Sequence, residues 1–380
     1  MKALCIYAGP KARQHLAQHG LQPRDVGVVP GAAGGPKGLI LGPLDRFIFG
    51  HWLAQSDQPV HLVGASIGAW RMATACLNQP AAAFKRLERD YIAQHYPLQP
   101  GQKRPTADAV SEQFGHSLAS FYGGRVAEVL AHPRFKLHIM TSRGRHLLRR
   151  EHPLATPLGY LGAFLTNGVN RRAMGAWLER VVFSTEGAVL PFATDDYKTR
   201  QVTLGMANFQ AALQASCSIP FALRSVANIA GAPPGAYWDG GITDYHLHLN
   251  YNAFNSIASQ AIKTAASSSF DTKTGRAAAA VVLYPHFQQA VVPGWLDKAL
   301  PWRHKATDFL DTTVLLAPSP EWVKTLPNGK LPDRTDFTRY ADDLPGRVAA
   351  WTTAVSASAQ LADEFAAWLE RPDGTPVQPL

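Results

Sequence analysis

Residues 60–70 read Val-His-Leu-Val-Gly-Ala-Ser-Ile-Gly-Ala-Trp. The mostly apolar run 60–63 has the length and bounds of a buried strand, and from Ile67 the pattern turns helical. Between them stands Gly64-Ala65-Ser66-Ile67-Gly68, the G-x-S-x-G spacing of a sharp strand-to-helix turn. Such a turn projects the Ser66 hydroxyl clear of the sheet. Its glycines let neighbouring chain approach without a Cβ clash, and the helix start favours developing negative charge. A serine that merely caps a helix fits the same residues.

The alternation seen there recurs on both sides. Short apolar runs at 26–29, 137–140, 181–183, 202–204 and 279–283 read as further buried strands. Segments 38–49, 67–77, 107–130 and 208–217 read as helices between them. Strand and helix in that order predict an α/β fold with a largely parallel sheet. Trp351, Val355, Ala359, Ala362, Phe365 and Trp368 fall three or four apart, which predicts a helical stripe packed on the body. The Ser/Ala/Thr-rich stretch from Ser256 to Ala280 has weak patterning and reads as a connector. No repeat of 20–50 residues is found, which argues against solenoids and propellers. No clean domain boundary is visible, so 1–380 reads as a single domain.

Composition narrows the class. Apolar residues are 46% of the 380, enough for a sizeable core, and charged residues only 17%. The formal net charge of +9 favours anionic partners without choosing among nucleic acid, membrane surface and acidic substrate. Cys5, Cys76 and Cys217 are odd in number and far apart, which fits a reducing compartment rather than a disulfide framework. The apolar run 3–8 is too short for a signal segment, and no stretch approaches the roughly 20 apolar residues of a span. The expectation is a cytoplasmic protein, with peripheral membrane contact as an option.

Two more motifs flank the serine. Gly34-Gly35-Pro36-Lys37-Gly38 follows the strand at 26–29 and opens the next helix. A P-loop would need Gly-Lys-Ser/Thr, and a dinucleotide fingerprint would need G-x-G-x-x-G; neither is present. Consecutive glycines at a helix start do suit an oxyanion hole, because unpaired backbone N–H groups can face a cleft. A plain glycine turn is the simpler alternative. Asp239-Gly240-Gly241 follows Tyr237-Trp238 and puts an acid at a strand end on a tight turn. Near a serine hydroxyl, that acid could serve as general base.

Taken in order, Gly34-Gly35-Pro36-Lys37-Gly38, Gly64-Ala65-Ser66-Ile67-Gly68 and Asp239-Gly240-Gly241 resemble the patatin-like phospholipase family, marked by G-G-x-[RK]-G, G-x-S-x-G and D-G-[GA]. Ala215-Ser216-Cys217-Ser218-Ile219-Pro220 resembles the family's A-S-x-A-x-P stretch. The resemblance spans about residues 25–245. It implies a Ser–Asp dyad hydrolase with no catalytic histidine, metal or other cofactor. Ser66 would be the nucleophile and Asp239 the base. Amides around Gly34, Gly35 and Gly38 would form the oxyanion hole, with Lys37, Gly64, Gly68, Gly240 and Gly241 supporting the motifs. The implied substrate is a lipid acyl ester. The implied fold is a three-layer α/β/α sandwich, with 246–380 as an extension packed on the core. The chain departs from the family after Gly241, where Ile242-Thr243-Asp244-Tyr245-His246-Leu247 lacks the usual Asn and Pro. The long gap from Ser66 to Asp239 leaves room for an insertion between about 95 and 180.

Rival readings remain. His246, His248 or His286 could complete a Ser-Asp-His triad of the α/β-hydrolase type. His246 and His248 could pair on a metal, but no third ligand is evident. A lipid- or protein-binding scaffold without turnover is the alternative outside enzymology. The segment from Arg143 to Arg180 carries Arg143, Arg145, Arg149, Arg150, Arg171, Arg172 and Arg180 around the apolar run 157–165. It reads either as a solvated basic face beside a buried loop or as an interfacial cap for anionic lipid. No nucleic-acid-binding module is visible.

Overall fold

A computed structural model describes residues 1–97, 102, 105–252 and 281–380. The expected connector from Ser256 to Ala280 lies outside the described residues. Eleven strands form one sheet. In chain order they are β1 (Leu4–Ala8), β2 (Val26–Gly31), β3 (Val60–Ala65), β4 (Phe135–Gly144), β5 (Leu178–Thr185), β6 (Thr199–Leu204), β7 (Val226–Ala227), β8 (Ala236–Asp239), β9 (Val281–Pro285), β10 (Thr313–Pro318) and β11 (Val377–Pro379). Their order across the sheet is β11-β1-β10-β9-β2-β3-β4-β5-β6, with β8 added on β4 and β7 on β8. Pairing is mostly parallel; β1–β10, β4–β5, β4–β8 and β7–β8 are antiparallel.

The helices are α1 (Pro10–His19), α2 (Gly42–Phe47), α3 (Ile67–Ala75), α4 (Pro80–Ile92), α5 (Ala107–Tyr122), α6 (Val126–Leu130), α7 (Ala155–Val169), α8 (Phe209–Cys217), α9 (Pro320–Val323), α10 (Thr335–Arg339), α11 (Leu344–Ala357) and α12 (Ala359–Glu370). Every residue of β2, β3, β9 and β10 is buried. Strands that read as continuous apolar runs are covered on both faces, and the result is the α/β/α sandwich.

Two helices expected as single pieces are broken. The stretch 107–130 divides into α5 and α6 at Gly123-Gly124, where Gly124 takes φ +74° and no longer supports helix. The C-terminal stripe divides at Ser358. Trp351 and Val355 of α11 pack with Leu39 and Ile92, whereas Phe365 and Trp368 of α12 join the main core. Residues 246–380, expected as an extension, supply β9, β10 and β11, three of the four described strands on that side of β2.

One strand matters most for the site. β5 occupies one edge of β4. The other edge is shared: β3 pairs along it up to Ala65 opposite Met140, and β8 takes over with Asp239 opposite Thr141. Adjacent residues of β4 therefore bring the end of β3 next to the end of β8.

Candidate active site

Ser66 begins where β3 ends. Its backbone sits at φ 56°, ψ −129°, a left-handed conformation that a non-glycine residue holds only under strain. Neighbours fix it there. The Ser66 amide donates to Ser216 Oγ at 3.0 Å, and Ser216 Oγ donates to the Met140 carbonyl at 2.6 Å. The turn also demands its glycines. A Cβ on Gly68 would stand 1.8 Å from the Gly31 carbonyl oxygen, and one on Gly64 would stand 2.4 Å from Ala69 Cα. The first turn of α3 thus lies directly on the end of β2.

Asp239 closes β8 and is 5% exposed. The Ser66 hydroxyl donates to Asp239 Oδ2 at 2.7 Å, and the Gly241 amide donates to Oδ1 at 2.7 Å. Ser142 Oγ donates to the Asp239 carbonyl, and the Asp239 amide donates to the Ser218 carbonyl. Gly240 and Gly241 have packing reasons to be glycine: a Cβ would meet the Met140 carbonyl at 2.2 Å or Ala33 Cβ at 2.7 Å. Burial pushes the Asp239 carboxyl up to about 6, against the Ser66 hydrogen bond, the Arg334 charge, the Gly241 amide and the Lys298 charge. At neutral pH the group is an ionised base of raised basicity held against a hydroxyl.

The glycine segment lies across from Ser66. Gly35, at φ +57°, lines the same cavity as Ser66 and Ile67 and opens a 3-10 helix, where the first amides have no partner within the helix. Gly34 packs behind it, leaving no room for a Cβ against the Phe287 ring at 2.6 Å. Gly38 lies inside the 3-10 helix and packs on Ile67 and Arg71. Lys37 stands 5.5 Å from the Phe287 ring centroid, and burial lowers its pKa. The cavity holds about 430 Å³ and is walled by apolar and aromatic side chains, among them Trp70, Tyr91, Phe114, Ile219 and Phe337. That size and lining suit an apolar ligand.

The three histidines lie elsewhere in the bonding. His246 is buried with Nδ1 beside the Ala290 carbonyl and the Val292 amide. His248 bonds the Val291 carbonyl and Thr307, and His286 the Gln288 carbonyl. Burial lowers the pKa of all three, and none bonds Ser66 or Asp239. His246 and His248 use separate backbone partners, and among the described residues no group of three or more His, Cys, Asp or Glu is placed to hold a metal.

The seven arginines do not form one basic face. Arg143 pairs with Glu179, and Arg145 donates to the Gly175 carbonyl. Arg180 is fully buried and holds both Asp244 and Asp196; Arg171 reaches Asp244 and Asp297. Asp244 follows the Asp-Gly-Gly turn, so two of the supposed surface arginines anchor the loop behind Asp239. Only Arg149, Arg150 and Arg172 remain exposed. The apolar run between the clusters is helical, within α7, rather than a buried loop.

Two residues that carry no motif act on the site by their charge. The Arg334 guanidinium lies 3.3 Å from where a Gly35 Cβ would stand. It lines both the main cavity and a small recess beside Asp239. Lys298 Nζ sits 3.9 Å from the Tyr245 ring centroid; burial and the nearby charges of Arg334 and Lys37 lower its pKa to about 8. Neither forms an ion pair among the described residues. Together with Lys37 they give the cleft a positive potential, which favours an ionised Asp239 and any oxyanion formed beside it. Nothing in the local sequence around 298 or 334 signals this, because each reaches the site from a segment distant from every motif. No family model matches the chain, and no curated protein matches it.

Proposed function

We propose that this chain is a serine acyl-ester hydrolase acting on lipids, of the patatin-like phospholipase kind that its motifs resemble. The observation that carries the reading is the 2.7 Å hydrogen bond from Ser66, which lines a largely apolar cavity, to a buried carboxylate.

The geometry supports a two-stage reaction. Asp239 accepts the Ser66 proton as Oγ attacks the ester carbonyl carbon. The carbonyl oxygen takes the negative charge and faces the amides at the Gly34-Gly35 turn and the start of α3. Asp239 returns the proton to the departing alcohol, leaving an acyl group on Ser66. Water then gives a proton to Asp239 and attacks the acyl carbon. Collapse of that intermediate frees the acid and restores the Ser66 hydroxyl. The binding of His246, His248 and His286 to other partners favours a dyad over a Ser-Asp-His triad.

A fluorophosphonate probe reports the activated hydroxyl directly. The wild-type protein should be labelled at Ser66, and Ser66→Ala should neither be labelled nor hydrolyse p-nitrophenyl esters, while melting at the same temperature. Labelling that persists in Ser66→Ala, or esterase activity within tenfold of wild type, would remove Ser66 from the mechanism.

A further inference from the structure

Helix α7 reads Ala-Thr-Pro-Leu-Gly-Tyr-Leu-Gly-Ala-Phe-Leu-Thr-Asn-Gly-Val and contains no charged residue. Its inner stripe is Thr156, Gly159, Tyr160, Ala163 and Asn167. These pack on a small cluster that includes Leu148, Met174 and Trp238. An ordinary surface helix would then turn polar side chains outward. Here the outward row is Leu158, Leu161 and Leu165, continued by Leu154 before the helix and Val169 at its end. Their exposures run from 53% to 88%. Among the described residues nothing covers this row.

Arginines stand at both ends. Arg149 and Arg150 precede the helix and Arg172 follows it, all exposed and without an ion pair among the described residues. The apolar row also continues to the cavity. Phe221 is 63% exposed, takes φ +69°, packs edge-on against Tyr160 of α7 with ring centroids 5.8 Å apart, and lines the cavity that holds Ser66. A left-handed phenylalanine is costly and persists only where its surroundings hold it.

We propose that α7 is an interfacial anchor that lies in the plane of an anionic lipid surface. Its leucine row enters the acyl boundary, Arg149, Arg150 and Arg172 meet headgroup phosphates at its two ends, and Phe221 marks the passage from the surface into the cavity. An amphipathic segment with apolar side chains outward and cations at its margins has the chemistry of such a surface. A second copy of the chain fits less well. A 15-residue helix is about 22 Å long and offers a face of roughly 200 Å². A stable protein interface takes about 800 Å² per partner. Anchoring stands without the hydrolase reading, and only the passage of lipid to Ser66 rests on it.

The test is flotation of the full chain with phosphatidylcholine vesicles, with and without phosphatidylglycerol. Wild type and Ser66→Ala should bind the anionic vesicles equally, and binding should weaken as salt shortens the screening length. The triple variant Leu158→Ser/Leu161→Ser/Leu165→Ser and the triple variant Arg149→Gln/Arg150→Gln/Arg172→Gln should each lose at least tenfold in vesicle affinity. Both should keep the wild-type melting temperature and the wild-type rate on a soluble short-chain ester. Anionic-vesicle binding by wild type that the leucine variant loses, in a protein that hydrolyses no ester, would keep the anchor and remove the hydrolase. Absence of wild-type binding, or equal binding by the leucine variant, would overturn the anchor. So would a dimer in vesicle-free solution that the leucine variant abolishes.

Discussion

Helices α3 and α7 are both poor in charge, yet their surroundings are opposite. All nine residues of α3 are buried, including Arg71, which two 2.7 Å bonds tie to Asp45. Only five of the fifteen residues of α7 are buried, and its most apolar side chains face outward. Composition alone does not separate the two. The difference is what stands opposite: the end of β2 lies against the first turn of α3, whereas no described segment faces the leucines of α7. One helix has its apolar surface matched within the chain and begins at the proposed nucleophile. The other leaves an apolar surface that no described segment covers, the surface proposed to meet lipid.

The largest expected effect isolates chemistry from surface. Asp239→Asn keeps the shape of the β8 end but removes the proposed base, so turnover should fall by on the order of 10³-fold or more. Vesicle binding through α7 should be unchanged. The same variant carries a stability signature. A carboxyl at about 6 in the folded state, raised from 3.8, binds more protons folded than unfolded between those values. Its ionised form therefore lowers stability above that window, by on the order of 2–3 kcal/mol. Asp239→Asn should melt higher than wild type at pH 7.5, with the gain shrinking toward zero below about pH 4. A melting temperature lower than wild type at pH 7.5 would show that burial of the charge is not what raises this group.

Next comes one substitution placed in both helices. Gly68→Ala puts a Cβ 1.8 Å from a backbone oxygen that cannot move aside, and should destabilise by about 3 kcal/mol or leave no folded protein. Gly168→Ala on α7 meets nothing within 4 Å and should be neutral or stabilising by up to about 1 kcal/mol, since alanine is the better helix former. Urea unfolding of the pair would break the comparison if both moved in the same direction.

The smallest effect is a displacement of a pH profile. The proposed mechanism needs ionised Asp239, so the rate should rise with pH through about 6. The Arg334 charge favours that ionised form; Arg334→Gln should move the acid limb to higher pH. An unmoved limb with only a raised KM would reassign Arg334 from base tuning to substrate binding.

The strands and helices around the motifs were legible because each motif sits on a change of period, from the apolar run 60–63 to the helix at Ile67. β1 and β10 are short apolar runs without a motif to mark them: the first stands where a leader would, and Thr313–Pro318 lies beyond every motif. The break at Gly123-Gly124 was visible in the residues but overridden by the periodicity on either side. In the site, Ser66, Asp239 and the glycine turn were accessible because turn chemistry is local. Arg334 and Lys298 were not, because what they do depends on a fold that returns distant segments to one cleft. Arg171 and Arg180 misled for the same reason. Sequence shows seven charges in a row of segments, and only burial shows which are matched by Asp196, Asp244 and Asp297.

The shared edge of β4 has a consequence for how such a chain can diversify. Met140 faces the strand that ends before Ser66 and Thr141 the strand that ends in Asp239, so one peptide step of β4 sets their spacing. The two long excursions touch that measurement at few points: Gly68 on the first, and on the second Ser216 and Ser218, which accept from the Ser66 and Asp239 amides. The path from Ser66 to Phe135 builds the cavity wall with Trp70, Tyr91 and Phe114, and the path from Gly144 to Ala236 builds α7. Insertions or deletions along either path away from those residues can alter which molecule arrives and from what surface, while Ser66 and Asp239 stay 2.7 Å apart. Under the proposed function, selectivity can then drift in inheritance, or be grafted by design, without retuning the bond-breaking step.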